Sequence, residues 1–272
     1  MLIYKLIIIN IIVDNNKISI KFSEYKGGYF MKWLKMWFLV ILMLLISIGS
    51  YPQAMLKSGE LNEDNSNIKV VDKIYKSKNN YLDINVIVPQ VTDMSNKKQE
   101  DIINNKITKW TEDWINEVKQ IADEYFKDKP EPLMTYQLYA RYKLTNNSDI
   151  ISFYIDYYQF SGGAHGITNR IAYNIEKSSG NEMKLKDIFK DNYNYKDVIN
   201  EEINRQISKD PDRYFTGKDG FNGIGDNQNF YIKNNTLVIY FGLYEIAPYA
   251  SGISEFIIPN NLLEGNFKYG KI

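Results

Sequence analysis

DIISFYIDYYQFSGGAHGITNRIAYNIEK, residues 149–177, places two alternating runs on either side of a glycine-rich loop. In 149–161 and again in 166–177 apolar and polar side chains take turns, the period-2 pattern of strands with one buried face. Between them, Gly162, Gly163 and Gly166 permit positive φ and close approach of backbone. They enclose His165, the only histidine of the chain. The first expectation is a strand that delivers a glycine-shaped loop to the surface.

Working outward, IKVVDKIYKSK (68–78) and YLDINVIVPQV (81–91) alternate in the same way, with a turn at Asn79-Asn80. Pro89 is expected to end the second of these strands. LMTYQLYARYKLTN (133–146) is a further strand, joined to 149–161 through Asn147-Ser148. Residues 95–127 are expected to be helical, because Ile103, Ile107, Trp110, Trp114, Val118, Ile121 and Tyr125 recur at spacings of three and four. Ser95 is the expected N-cap, and Lys129-Pro130 the stop. Such a stripe packs on a sheet far more often than it forms a groove for a partner.

Beyond the glycine loop, Ser178-Ser179-Gly180-Asn181 reads as a tight turn. MKLKDIF (183–189) reads as a short strand running into a helix start capped by Asp187. Residues 195–209 carry Val198, Ile199, Ile203 and Ile207 on one face, a second amphipathic helix that Asp210-Pro211 ends. NFYIKNNTLVIYFGLYEIA (229–247) is a hairpin turning at Asn234-Asn235, and ISEFIIP (253–259) a closing strand. The order ββαββ, then β–α–βββ, predicts an α+β fold with antiparallel sheets and two main helices, 95–127 and 195–209. The expected division is an N-terminal domain over 68–165 and a C-terminal one over 166–262.

The N-terminal residues are of another kind. MKWLKMWFLVILMLLISIGSYPQA (31–54) joins a basic start at Lys32 and Lys35 to an apolar run and then to small residues, the layout of a secretory signal. It is either cleaved or kept as an anchor, in which case 33–49 is the only expected membrane contact. Both outcomes place the body outside the cytoplasm, behind a polar linker at 55–67. Residues 1–30 precede this signal, and Lys26-Gly27-Gly28 is compatible with codons of a ribosome-binding sequence. Translation is therefore expected to begin at Met31, with 1–30 an untranslated leader. The alternative is a short cytoplasmic tail.

Composition removes several chemistries. The 272 residues contain no cysteine, which excludes disulfides, thiolate metal sites and a cysteine nucleophile. One histidine argues against zinc, and no calcium-loop pattern is present, so no metal or cofactor is expected. The 22 tyrosines, beside abundant Asn, Ile and Lys, fit AT-rich codons and carry little functional weight. Residues 1–50 hold six Lys and two acidic residues, so 27 of 33 basic and 31 of 33 acidic residues remain beyond them, a net of −4. A mildly acidic body argues against nucleic acid and suits a cationic protein partner.

His165 near Ser161 and Asp156 invites a general-base scheme. Yet GGAHG is not the G-x-S-x-G elbow, and a serine four residues before a histidine gives no reason for contact. Glu201-Glu202, Asp226 and Glu245 are the candidate carboxylates for a glycosidase or other hydrolase. Neighbouring glutamates on a helix point apart, so that pair is expected to be solvated. Glu245 lies in GLYEIAPYASG (242–252), where aromatic and proline side chains make a contact surface, or where the glutamate caps a backbone group. GFNGIGDNQ (220–228) matches no phosphate-binding pattern and is assigned no ligand.

YYQFSGGAHGITNRIAYNIEKSSGNEMKLKDIF (157–189), DNQNFYI (226–232) and LVIYFGLYEIAPYASGISEFIIP (237–259) together resemble the paired extracytoplasmic domains of RsiV-type anti-sigma factors. The same pair is found in PdaC-type peptidoglycan deacetylases and in uncharacterised secreted proteins. The resemblance spans about 68–262 and implies an α+β module without catalysis of its own. In the RsiV type, it implies a receptor that binds lysozyme and so triggers release of a sigma factor. It carries Ser161, His165, Pro248 and Tyr249 over as contacts, beside Gly162, Gly163 and Glu245 from the reading of the two loops. A lone histidine is too few for a deacetylase metal triad.

The leading expectation is a non-catalytic binding module at the cell envelope, secreted or anchored. Its expected partner is lysozyme, another envelope protein or peptidoglycan. An RsiV-like anti-sigma factor is the first alternative, and a cell-wall hydrolase the second.

Overall fold

Leu82, Ile84, Val86 and Val88 alternate with Asp83, Asn85 and Ile87, and only the first set is fully buried. That single-sided burial is what the alternation demands, and it fixes the register of the sheet around it. The computed structural model describes residues 10–14, 17–21, 68–129 and 133–269. The chain divides into two units, 1–50 and 51–272. In the first, strands β1 (Asn10–Asp14) and β2 (Lys17–Lys21) pair antiparallel. The expected signal segment at 31–54 and linker at 55–67 lie outside the described residues, as does most of the expected leader.

The second unit begins with β3 (Lys69–Lys78) and β4 (Leu82–Thr92), antiparallel partners. Pro89 does not end β4, contrary to expectation; it sits inside the strand opposite Asp72. The reason is tertiary. The next strand over pairs with β4 only as far as Val86, so beyond it that edge is free of ladder bonds. Two residues on from Pro89, Val91 turns its N–H and C=O to the side chain of Asn104, at 2.9 and 2.8 Å. Pro89 faces the same way by the period of two, and so removes no bond to β3.

Helix α1 (Lys97–Phe126) crosses back over the sheet. Its N-cap is Asn96, not Ser95: Asn96 Oδ1 accepts from Gln99 N at 3.2 Å, and Glu100 Oε2 accepts from Met94 N at 2.8 Å. Ile103, Ile107, Val118, Ala122 and Phe126 are buried, with Trp110 and Trp114 packed beside them. Ile121 and Tyr125, expected on this stripe, are 48% and 44% exposed. The four-residue spacing 118–122–126 carries the last turns of the helix, and it leaves 121 and 125 on the outer side.

The crossover makes β5 (Tyr136–Asn147) parallel to β4, the one parallel pair among the described strands. β6 (Ile150–Phe160) and β7 (Ile167–Glu176) complete the sheet in the order β3-β4-β5-β6-β7. β7, expected to open the second domain, is thus an edge strand of the first sheet. The expected boundary at 165/166 falls in the β6–β7 loop.

Where MKLKDIF (183–189) reads as a short strand running into a helix start, the structure places a 3-10 turn. It spans Leu185–Ile188, with Asp187 as its third residue rather than its cap. Asp187 Oδ2 accepts from Lys184 N at 2.8 Å. Helix α2 (Tyr195–Ile207) buries Ile199 and Ile203. β8 (Phe230–Lys233), β9 (Thr236–Phe241) and β10 (Ser254–Ile258) form a three-stranded antiparallel sheet, order β10-β9-β8. Asn234 and Asn235, at φ 49° and 59°, make the expected left-handed hairpin turn. The strand expected to reach Ala247 stops at Phe241.

The two sheets meet through β6, whose faces serve different cores. Ile151, Phe153, Ile155 and Tyr157 pack under α1, while Ile150 and Tyr154 pack with the second sheet. A bulge between Leu144 and Asn146 frees Thr145 from the ladder. Its hydroxyl donates to Ile232 O at 2.6 Å. Ser152 Oγ accepts from Ile232 N at 2.8 Å and donates to Asn174 Oδ1 at 2.7 Å; Asn174 Nδ2 donates to Phe230 O at 3.0 Å. Buried polar side chains of the first sheet thus satisfy the backbone of β8, which would otherwise be orphaned.

Candidate functional site

The glycine loop leaves β6 with Tyr157 facing the α1 core and Tyr158 facing the other way. Gly162 and Gly163 take φ of +97° and +95°, where a side chain would be strained. Gly166 is buried for another reason: a Cβ there would lie 2.5 Å from the Tyr158 ring and 2.6 Å from Gln159 O. Ser161, Gly163 and His165 are exposed.

The second loop begins where β9 ends. Tyr244 adopts φ +65°, and Glu245 Oε2 accepts from Gly242 N at 2.7 Å, so this glutamate caps its own turn. Ile246 and Ala247 anchor the loop in the core, while Pro248 is exposed and leads a 3-10 turn over Tyr249–Ser251. Arg213 holds that turn from outside, donating to Ser251 O at 2.8 Å and accepting from Ser251 Oγ at 3.0 Å through its own carbonyl.

These loops meet. The rings of His165 and Tyr249 stack with centroids 3.9 Å apart and planes 18° apart. Tyr249 Oη donates to Gly166 O at 2.8 Å, and His165 Nδ1 lies 3.0 Å from the same carbonyl. Since a carbonyl only accepts, Nδ1 carries a proton, and in the neutral ring Nε2 is left as an acceptor. Burial, reinforced by the phenols of Tyr158 and Tyr244, raises the pKa of Tyr249, which keeps its hydroxyl a donor at neutral pH. Tyr244 continues the aromatic surface, 5.7 Å from Tyr249 and 50% exposed.

Of the residues selected from sequence, His165, Tyr249 and the glycines share this junction, with Pro248 at its rim. Glu245 faces its own backbone, and Ser161 meets only Gln159, at 3.5 Å. Sequence reading missed Tyr244, Tyr158 and Arg213. The tyrosine-rich flanks 157–158 and 244–249 were the available signal.

The general-base scheme has no geometry behind it. Asp156 is taken by Arg170, whose guanidinium spans both carboxylate oxygens at 2.6 and 2.7 Å, also meets Glu255, and lies 3.7 Å from the centre of the Tyr154 ring. Burial alone would lower the pKa of Arg170, but Asp156 and Glu255 hold it above its ordinary value. Glu202, expected to be solvated beside Glu201, is 3% exposed and is bound by Arg205 at 2.7 Å and Gln206 at 2.8 Å. Asp226 pairs with Lys196. Among the described residues no group of three His, Asp or Glu side chains is placed to hold a metal ion. Among them, too, no helix is long and apolar enough to cross a membrane.

Residues 75–168 match the family described as deacetylase PdaC, and residues 186–261 a protein family of unknown function, DUF3298. The chain is 30% identical over 220 residues to the anti-sigma-V factor RsiV of Bacillus subtilis (strain 168), covering 74% of this chain and 75% of that protein. It is 23% identical over 177 residues to the peptidoglycan-N-acetylmuramic acid deacetylase PdaC of the same organism. There it covers 64% of this chain but only 37% of the relative. A DUF3298 structure from Bacteroides fragilis NCTC 9343 superposes with a TM-score of 0.53 at 17% identity, over 75% of this chain and 94% of that one. One from Pseudomonas aeruginosa PAO1 gives 0.50 at 16%, over 76% and 99%. These two likenesses concern the fold alone.

Proposed function

The chain belongs to the RsiV family, and from that premise we propose that its body is an extracytoplasmic, non-catalytic binding module of the cell envelope. Its contact surface is the junction of the 161–166 and 244–251 loops. The observation that carries this reading is the His165–Tyr249 stack, which joins two exposed aromatic loops into one preordered patch. Rings already fixed by neighbours lose little entropy when a partner arrives, the usual property of binding hot spots.

The partner we favour is a cationic, lysozyme-like protein. A net charge of −4 beyond residue 50 favours encounter with such a partner. Calorimetry of the protein with lysozyme, beside co-sedimentation with purified peptidoglycan, tests this. Binding to lysozyme at micromolar concentration or tighter is expected. Sedimentation with the wall and no heat with lysozyme would transfer the site to a glycan, and neither would remove the binding role.

A second reading is favoured by the 30% identity to an anti-sigma factor: the module acts as the sensing part of a signalling protein. Co-purification of a sigma factor with the full chain, released on addition of lysozyme, is its test.

A further inference from the structure

A cleft of about 350 Å³ opens between the 3-10 turn Leu185–Ile188, the segment leading into α2, and the C-terminal end of the described chain. It shares no residue with the two-loop junction. Three lysines line it, Lys186, Lys190 and Lys268, against two aspartates, Asp187 and Asp191. None of the three lysines is in an ion pair among the described residues. Lys268 Nζ donates to the main-chain oxygen of Asp187 at 3.0 Å, while one carboxyl oxygen of Asp187 turns back to Lys184 N at 2.8 Å. Three ammonium groups against two carboxylates leave the lining one positive charge in excess, which favours an anion over a cation as its occupant.

The same cleft contains a further polar group. The hydroxyl of Tyr193, which lines it, is buried and has no hydrogen-bond partner among the described residues. Burial and the nearby Glu264 raise its pKa, so it keeps its proton and remains a donor. A buried hydroxyl without a partner is costly, and an acceptor arriving in the cleft would relieve that cost. An anion with several acceptor oxygens satisfies the lysines and the phenol together.

We propose that this cleft binds a phosphate group, with Lys186, Lys190 and Lys268 supplying charge and the Tyr193 hydroxyl one directed hydrogen bond. Phosphate suits it better than carboxylate, because its oxygens spread over a tetrahedron and reach donors on several walls. Lysine ammoniums recognise it as point charges without needing the planar fork of arginine. The phosphate belongs either to a free phosphomonoester or to a phosphodiester chain, and the two are separable.

The test is calorimetry of the full chain with inorganic phosphate, glycerol 3-phosphate and poly(glycerol phosphate). Binding in the millimolar range or tighter, weakened by added salt, is expected. Response to the small phosphates identifies a phosphomonoester, and response to the polymer alone a phosphodiester chain. The K186Q/K190Q/K268Q variant should lose at least about tenfold in affinity, the scale of one charge-assisted hydrogen bond. Its melting temperature should change little, since these exposed lysines form no ion pair among the described residues and the one bond lost, from Lys268 to Asp187 O, is exposed. Y193F should bind more weakly than wild type and be no less stable, because the lost hydroxyl makes no bond among the described residues. Silence with all three probes, or undiminished affinity in the triple lysine variant, overturns the proposal.

Discussion

The imidazole of His165 lies against the phenol of Tyr249, 3.9 Å from centre to centre and 18° from parallel, and both side chains reach Gly166 O. One carbonyl thus joins a loop of the first sheet to a loop that follows β9. Arg170 secures β7, the strand that follows this carbonyl, linking Asp156 of β6 to Glu255 of β10.

Replacing Tyr249 separates ring from hydroxyl. Tyr249→Phe removes the bond to Gly166 O and should cost about 1 kcal/mol of stability. Tyr249→Ala also removes the stack and should cost about 2–3 kcal/mol. Urea unfolding midpoints read both, and equal losses would mean that the stack contributes nothing.

The loop glycines should differ from one another. Gly163→Ala meets no atom within 4 Å but holds φ +95°, so it should cost about 1–2 kcal/mol through backbone strain alone. Gly166→Ala drives a methyl into the Tyr158 ring and Gln159 O and should cost more. Thermal melting compares them; a Gly166→Ala protein as stable as Gly163→Ala would show that Tyr158 moves aside freely.

Arg170 has a side chain only 8% exposed between two carboxylates. Arg170→Gln leaves Asp156 and Glu255 without their cation and should cost about 3–5 kcal/mol. Adding Asp156→Asn should recover part of that loss. Chemical denaturation of the two single variants and the double variant measures the coupling, and strict additivity would contradict the arrangement.

Glu202 supplies a pH signature. Hydrogen bonds from Arg205, opposed by burial and helped by Gln206, lower its pKa below the ordinary glutamate value. A carboxylate depressed in the folded state stabilises above its unfolded pKa, about 4.3, and that contribution fades as pH falls through the folded value. Glu202→Gln should therefore flatten the loss of stability on acidification below about pH 4.3. Melting temperatures across that range decide it, and parallel curves for variant and wild type would refute the assignment.

The α+β class and most strands were legible because one face of each strand is buried, which writes the period of two into residues such as Leu82, Ile84 and Val86. What was not legible depended on length and partners elsewhere. Pro89 stays inside β4 because β5 pairs no further than Val86, a fact of tertiary register. β7 belongs to the first sheet although its sequence only says strand. Ile121 and Tyr125 looked like core because spacings of three and four admit two neighbouring stripes over the last turns of α1. At the site, the glycines announced the first loop and the tyrosines hinted at the second. The capping role of Glu245 was readable as one alternative, but its partner Gly242 was not. The meeting of His165 with Tyr249 was not readable, since contacts between distant loops leave no periodic trace.

The most direct test of the contact surface is the affinity of His165→Ala for lysozyme. The side chain is exposed and its removal spares the Tyr249 hydroxyl bond, so the fold should be kept, with a loss of about 1 kcal/mol of stability for the stack. The expected result is micromolar or tighter binding by wild type and a loss of about tenfold or more in the variant, as for a hot-spot residue. A wild-type protein that binds lysozyme with an affinity His165→Ala leaves unchanged would contradict the assignment of this junction as the contact surface.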